Sequence, residues 1–160
     1  MMVRAVCGDE VTGARIVALA RDWIGTPYVH QASCRGSGSD CLGLVRGIWR
    51  ELYGEEPEAV PPYTPDWSET DRVERLLAAA ARHMTRVDPA RAEPGDVLVL
   101  RMIEGGVAKH MGILAEGAAG EPSLIHAYSG HGVVESPLTP AWRRRIAGAF
   151  RIGRRHGWQR

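Results

Sequence analysis

Cysteine is scarce in this sequence and cannot be fully paired: Cys7, Cys34 and Cys41 make three in 160 residues. None stands at C-x-x-C spacing, so neither a disulfide framework nor a dithiol redox pair is expected. A zinc site drawn from Cys34, Cys41, His110 and His126 is the alternative, but it lacks the short paired spacings of structural zinc sites. Net charge is also small, +1 from 20 Lys and Arg against 19 Asp and Glu. That removes the overall electrostatic case for nucleic acid, and leaves the Arg143-Arg144-Arg145 cluster and the arginines of 151–155 as a solvated face or a docking edge. Long apolar runs are missing, so no membrane insertion is expected. Arg4, Asp9, Glu10, Arg15, Arg21 and Asp22 interrupt the N-terminus, which excludes a signal peptide and implies synthesis in the cytoplasm without Sec-type export. Internal repeats and low-complexity tracts are lacking too. What remains is 160 residues with 44% hydrophobic content, enough for one domain over 1–160 with a real core.

Apolar spacing places the elements. Ile16, Val17, Ala20, Trp23 and Ile24 form one stripe, predicting a helix over 12–24 with Thr12 as its cap and Gly25 as its stop. Gly and Ser then fill a loop over 29–40. A second helix opens at Cys41 behind Ser39 or Asp40 as cap, carries Leu42, Val45, Trp49, Leu52 and Tyr53 at three- and four-residue steps, and stops at Gly54. Four prolines make 55–67 an extended connection suited to a cleft wall. Ser68 is expected to start a third helix through Val73, Leu76, Leu77, Ala80, Ala81 and Met84, with Glu69 and Asp71 at its positive end.

From Asp88 onward the period becomes extended. Strands are expected over 97–103, 109–115, 123–128, 132–135 and 146–152, with a helical turn over 140–143. Helices followed by strands predict an α+β domain whose antiparallel sheet packs against the N-terminal helices.

Cys41 in the first helical turn is a candidate nucleophile, because free N–H groups and the helix dipole favour a thiolate there. The bland alternative is a small buried hydrophobe. His110 and His126 fall on two adjacent strands, and a hairpin centred near Ala118 or Ala119 puts both on one face. Centred on Ala118, it sets them directly opposite, about 5 Å apart. A thiol enzyme needs one histidine to take the proton and a further polar group to orient that ring. The remaining histidines, His30, His83, His131 and His156, read as bland.

Taken in order, Gly25-Thr26-Pro27-Tyr28, Asp40-Cys41-Leu42-Gly43-Leu44-Val45, Pro94-Gly95-Asp96-Val97, His110-Met111-Gly112-Ile113 and Ile125-His126-Ala127 resemble the NlpC/P60 family of cell-wall cysteine peptidases. The resemblance implies a papain-like α+β fold and hydrolysis of peptidoglycan stem peptides, typically between γ-linked D-glutamate and diaminopimelate. It also implies Cys41 as nucleophile, His110 as general base, His126 as orienting residue, and Tyr28 and Asp40 as substrate-binding residues, with no metal or organic cofactor. Cys41 through Gly47, with Trp49-Arg50-Glu51, further resembles the branch found in tailed phages and gene transfer agents. That branch implies tail or hub proteins as partners, and action on the periplasmic cell wall from a virion or gene-transfer-agent particle.

One departure stands out. Leu42 occupies a position where the family commonly has serine, which in members specific for a free N-terminal L-alanine helps hold the substrate amine. Stem peptides still attached to glycan are therefore the expected substrate. Two other classes compete with the peptidase: a catalytically weak structural tail or hub subunit, and a thiol amidase or acyltransferase of the same fold.

Overall fold

Thr12 opens the first helix by accepting the Arg15 N–H at 3.1 Å, which satisfies one of the free donors of the first turn. This helix, α1 (Gly13–Asp22), is seen in a computed structural model that describes residues 11–63 and 72–153. Ile16, Val17, Ala20 and Trp23 are buried as the stripe predicts. Ile24 is instead 46% exposed, because the helix has already ended at its C-cap Trp23 and the chain turns away at Gly25.

The Gly/Ser loop is more ordered than expected. Within it β1 (Ser33–Cys34) and β2 (Gly38–Ser39) pair as a small antiparallel hairpin, whose two-residue strands are too short to leave a period in the sequence. Helix α2 (Cys41–Tyr53) starts after Asp40 as predicted and ends at Gly54, where a φ of 82° turns the N–H back to the Arg50 carbonyl. A Cβ on Gly47 would lie 2.1 Å from the Trp23 ring, so glycine is what lets α1 close on α2.

Residues 55–63 follow as a connection without regular helix or strand, as four prolines between 55 and 67 require. Ser68, Glu69 and Asp71 lie outside the described residues, as do Cys7 and His156. The third helix, α3 (Arg75–His83), begins later than expected, and Val73 is 48% exposed. The cause is tertiary: Glu74 pairs with Arg101 and accepts the Ala108 N–H at 3.0 Å, which pins the chain to the sheet before it can coil. Leu76, Ala80 and Met84 are buried.

Six antiparallel strands form the main sheet in the order β3-β8-β4-β5-β6-β7: β3 (Thr85–Val87), β4 (Val97–Arg101), β5 (Ala108–Glu116), β6 (Pro122–Tyr128), β7 (Gly132–Pro137) and β8 (Ile146–Arg151). A short helix, α4 (Pro140–Arg143), links β7 to β8. Strand β3 was not expected, and β4 stops at Arg101, where a register irregularity interrupts its pairing with β5. Asp96 in the Pro94-Gly95-Asp96 turn is buried and grips Arg151 with both oxygens at 2.9 Å, tying the start of β4 to the end of β8.

Strand alternation divides the core. Val97, Val99, Met111, Ile113, Ile125 and Phe150 face the helices, where they meet Trp23, Leu44 and Ile48. Leu98, Leu100, Leu114 and Leu124 face the other way, against Leu138 and Trp142. Each fully buried aliphatic side chain contributes about 1.5–3 kcal/mol. The result is an α+β domain with its N-terminal helices on one face of an antiparallel sheet, as the sequence predicts.

Candidate active site

Asp40 fixes the start of α2 by accepting the Gly43 N–H on Oδ1 at 2.7 Å, and this sets Cys41 in the first turn. From there the thiol reaches the sheet. The β5–β6 pairing ends at Ile113 opposite Ile125, so the backbone groups of Lys109 and Met111 that point toward β6 are not taken by that strand. The Cys41 sulfur occupies this edge and donates to the Lys109 carbonyl at 3.6 Å. The residue between its two backbone neighbours is His110.

Two influences oppose each other on that sulfur. The N–H groups of Met111, Leu42 and Cys41 itself draw the thiol pKa down, as expected for a helix tip. Burial first, and then the adjacent Asp40 carboxylate, push it up to about 12. The expected thiolate is thus overridden, and the free protein holds a neutral thiol.

His110 Nε2 and His126 Nδ1 lie 2.7 Å apart, so the two imidazoles meet. They are not directly opposite. The observed register centres the hairpin on Ala119, which sets His126 across from Gly112 and leaves His110 two residues along. A shift of two keeps both rings on one face. A Cβ on Gly112 would come within 2.9 Å of the His126 Cβ, so glycine leaves room for the diagonal contact.

His126 Nε2 stands 3.2 Å from Ser136 Oγ. Two proton assignments satisfy both contacts, and in the one a general base requires, His110 Nε2–H donates to His126 Nδ1 and His126 Nε2–H donates to Ser136. This leaves the lone pair of His110 on Nδ1, free to act as a base. Burial, then His126 and Arg145, pull the His110 pKa down to about 3. Burial and His131 pull that of His126 to about 4. Both rings are neutral across the physiological range.

Aromatic side chains enclose the pair. Trp142 of α4 meets His126 edge-on at 5.3 Å, and Tyr128 stacks on the same ring at 5.4 Å. His131, read as bland, stacks on Tyr128 at 5.1 Å, and the Arg145 guanidinium lies 5.1 Å over Trp142. Neither Trp142 nor Tyr128 carried a signal in the sequence beyond being aromatic.

Tyr28 lies beside the sulfur. Backbone hydrogen bonds of Gly25 and Thr26 with Val133, and of Ser39 with Pro27, stitch its segment between β7 and β2. Burial, then Cys41 and Asp40, raise its pKa to about 12, so the phenol remains a donor beside the sulfur. Asp40 is held by the surrounding fold. It is 2% exposed, and its Oδ2 accepts both the Gln31 N–H at 2.8 Å and the phenol of Tyr63. Tyr63 was missed because it lies in the Pro-rich connection, 23 residues along the chain. His30, also read as bland, donates to the Tyr63 carbonyl at 2.7 Å.

This geometry can be compared with known proteins. The NlpC/P60 family profile matches residues 25–151, which contain every site residue above. The fold is similar to the NlpC/p60 domain of the peptidoglycan hydrolase SagA, with a TM-score of 0.61 at 26% identity, over 89% of this chain and 100% of that domain. It is similar to an NlpC/P60 family protein from Bacillus cereus ATCC 10987, with a TM-score of 0.62 at 21% identity, over 91% of this chain but only 41% of that longer protein. An N-acetylmuramoyl-L-alanine amidase from Bacteroides uniformis ATCC 8492 shares the fold at 13% identity and a TM-score of 0.53, over 89% of this chain and 99% of that one. No curated protein sequence matches the chain. With the profile spanning the stretch from the Tyr28 segment through the cysteine helix and both histidine strands to β8, the chain belongs to the NlpC/P60 family.

Proposed function

We propose that the protein is a peptidoglycan hydrolase, a cysteine endopeptidase that cleaves stem peptides between γ-linked D-glutamate and diaminopimelate. The observation that carries the reading is the Cys41 sulfur, set at a helix start against the strand edge that presents a hydrogen-bonded histidine pair.

The chemistry follows from the neutral resting state. His110 Nδ1 takes the thiol proton as the sulfur attacks the amide carbonyl, and the C–S bond forms as the carbonyl π electrons move to oxygen. The backbone N–H of Cys41 and the Tyr28 phenol, which lies near the sulfur, are the donors this reading assigns to that oxyanion. The imidazolium is supported by His126, whose Nδ1 accepts from it. It then protonates the leaving amine, the C–N bond breaks, and water hydrolyses the thioester to regenerate the thiol.

The motif from Cys41 to Glu51 supports a finer reading, in which the enzyme is held by tail or hub proteins of a virion or gene-transfer-agent particle and opens the periplasmic wall locally. Co-sedimentation of the protein with purified particles tests that placement, and its absence from them would contradict it.

Digestion of purified sacculi with wild type and Cys41→Ala, followed by mass analysis of released muropeptides, tests the activity. New D-glutamate termini released by wild type alone are expected. Glycan products stripped of the whole peptide would instead identify an amidase, and no product would identify a structural subunit.

A further inference from the structure

A groove of about 850 Å³ runs from Gln31, Leu42 and Met111, beside the Cys41 sulfur, between α2, the Pro-rich connection and α3. Its walls include Val45, Trp49, Pro62, Leu76 and Met84. Two carboxylates line it among the described residues, and both are engaged: Glu56 pairs with Arg46 and with Arg50 at 3.3 Å, and Glu58 with Arg82 at 2.8 Å and His83 at 3.3 Å. The third nearby carboxylate, Asp40, has Oδ1 on Gly43 and Oδ2 on Gln31 and Tyr63.

An ammonium group entering here would shed water and find no free carboxylate among the described residues to receive it, which is strongly unfavourable. A neutral amide carries no such penalty. Tyr63 holds this state in place: its phenol lies on Asp40, and its carbonyl accepts from His30 and from the Gln31 side chain.

We propose that Tyr63 is a specificity-determining residue that keeps Asp40 occupied and dedicates the groove to peptides whose N-terminus is acylated, excluding those with a free α-ammonium. The proposal rests on the peptidase reading for its substrate class. It goes beyond the leucine at position 42 by naming the residue that closes the carboxylate and the segment that delivers it.

Binding to the turnover-deficient Cys41→Ala protein tests this independently of catalysis. The probes are the tripeptide L-Ala-γ-D-Glu-diaminopimelate and its N-acetyl form, each measured by calorimetry. The acetylated peptide is expected to bind at least about tenfold more tightly, and Tyr63→Phe in the same background to shrink that ratio at least about fivefold by strengthening the free-amine peptide. Adding Asp40→Asn, which removes the charge the phenol covers, should abolish the effect of Tyr63→Phe. Equal affinities in Cys41→Ala, a ratio unmoved by Tyr63→Phe at unchanged thermal stability, or no binding of either peptide would overturn the proposal. Should Tyr63→Phe fail to fold, Asp40→Asn alone decides: an unchanged ratio supports an already covered carboxylate, and a ratio shifted further toward the acetylated peptide contradicts it. If wild type hydrolyses neither peptides nor sacculi, the peptidase reading fails while the affinity ratio still judges the role of Tyr63.

Discussion

The two sides of strand β5 supply the two halves of the site under opposite electrostatics. On the helix side, Met111, Ile113 and Ala115 pack into the larger core, and Cys41 comes down from α2 with the Asp40 carboxylate beside it. On the far side, His110 and His126 lie among Trp142 and Tyr128, with Arg145 and His131 as neighbours. Burial leads on both sides: it raises the thiol pKa, with the carboxylate adding to it, and lowers those of the imidazoles, with Arg145 adding to it at His110. Both partners are therefore neutral at rest, and ionisation waits until a substrate carbonyl and its oxyanion donors repay the charge separation. A thiolate–imidazolium pair at rest, the state that a helix-tip cysteine alone would favour, is not what these surroundings stabilise.

The sharpest way to break this arrangement is to remove the base. His110→Ala should lower muropeptide release by on the order of a thousandfold or more, since the proposed mechanism then loses its general base. His126→Ala removes only the group that orients and supports His110, and a loss of roughly tenfold to a hundredfold is expected in the same assay. Equal, near-wild-type rates for both variants would defeat the assignment of the far side. On the helix side, Asp40→Asn keeps an oxygen for the Gly43 N–H and deletes the charge. The thiol pKa should then move down from about 12, read as thiolate ultraviolet absorbance, with a stability loss of about 1–3 kcal/mol because the amide nitrogen cannot accept the Gln31 N–H.

Stability against pH sharpens the same contrast. The unfolded chain protonates its histidines near 6.5, whereas the folded state resists down to about 3 for His110 and about 4 for His126. The unfolded state therefore binds more protons below 6.5, and urea midpoints should fall as the pH drops through that window. For Cys41 the sign reverses. The folded thiol keeps its proton to about 12 while the unfolded one loses it near 9, so stability should decline as the pH rises between them. Cys41→Ala should shrink the alkaline decline, most of all below about pH 10 where the raised Tyr28 phenol does not yet contribute, and leave the acid part intact.

What could be read from the sequence was what depends on near neighbours. Thr12, Asp40 and Gly54 act at three or four residues' distance, and each helix end they predicted is present. The shared face of His110 and His126 follows from parity, which survives a register centred on Ala119 rather than Ala118. Features set by distant chain were not legible. Glu74 delays α3 through Arg101 and Ala108, 27 and 34 residues away. The latch of Tyr63 on Asp40, and the burial that reverses the expected ionisation of Cys41, likewise exist only once the layers have packed. The three-residue β3 is held by pairing with β8 across some sixty positions and is too short to show a period.

Nitrogen-15 NMR of the His110 ring as a function of pH tests the neutral resting pair most directly. The predicted result is a neutral imidazole protonated on Nε2 from pH 7 down to well below 6, unchanged in Cys41→Ala. An imidazolium at pH 7 that becomes neutral when Cys41 is replaced by alanine would contradict it and restore an ion pair at rest.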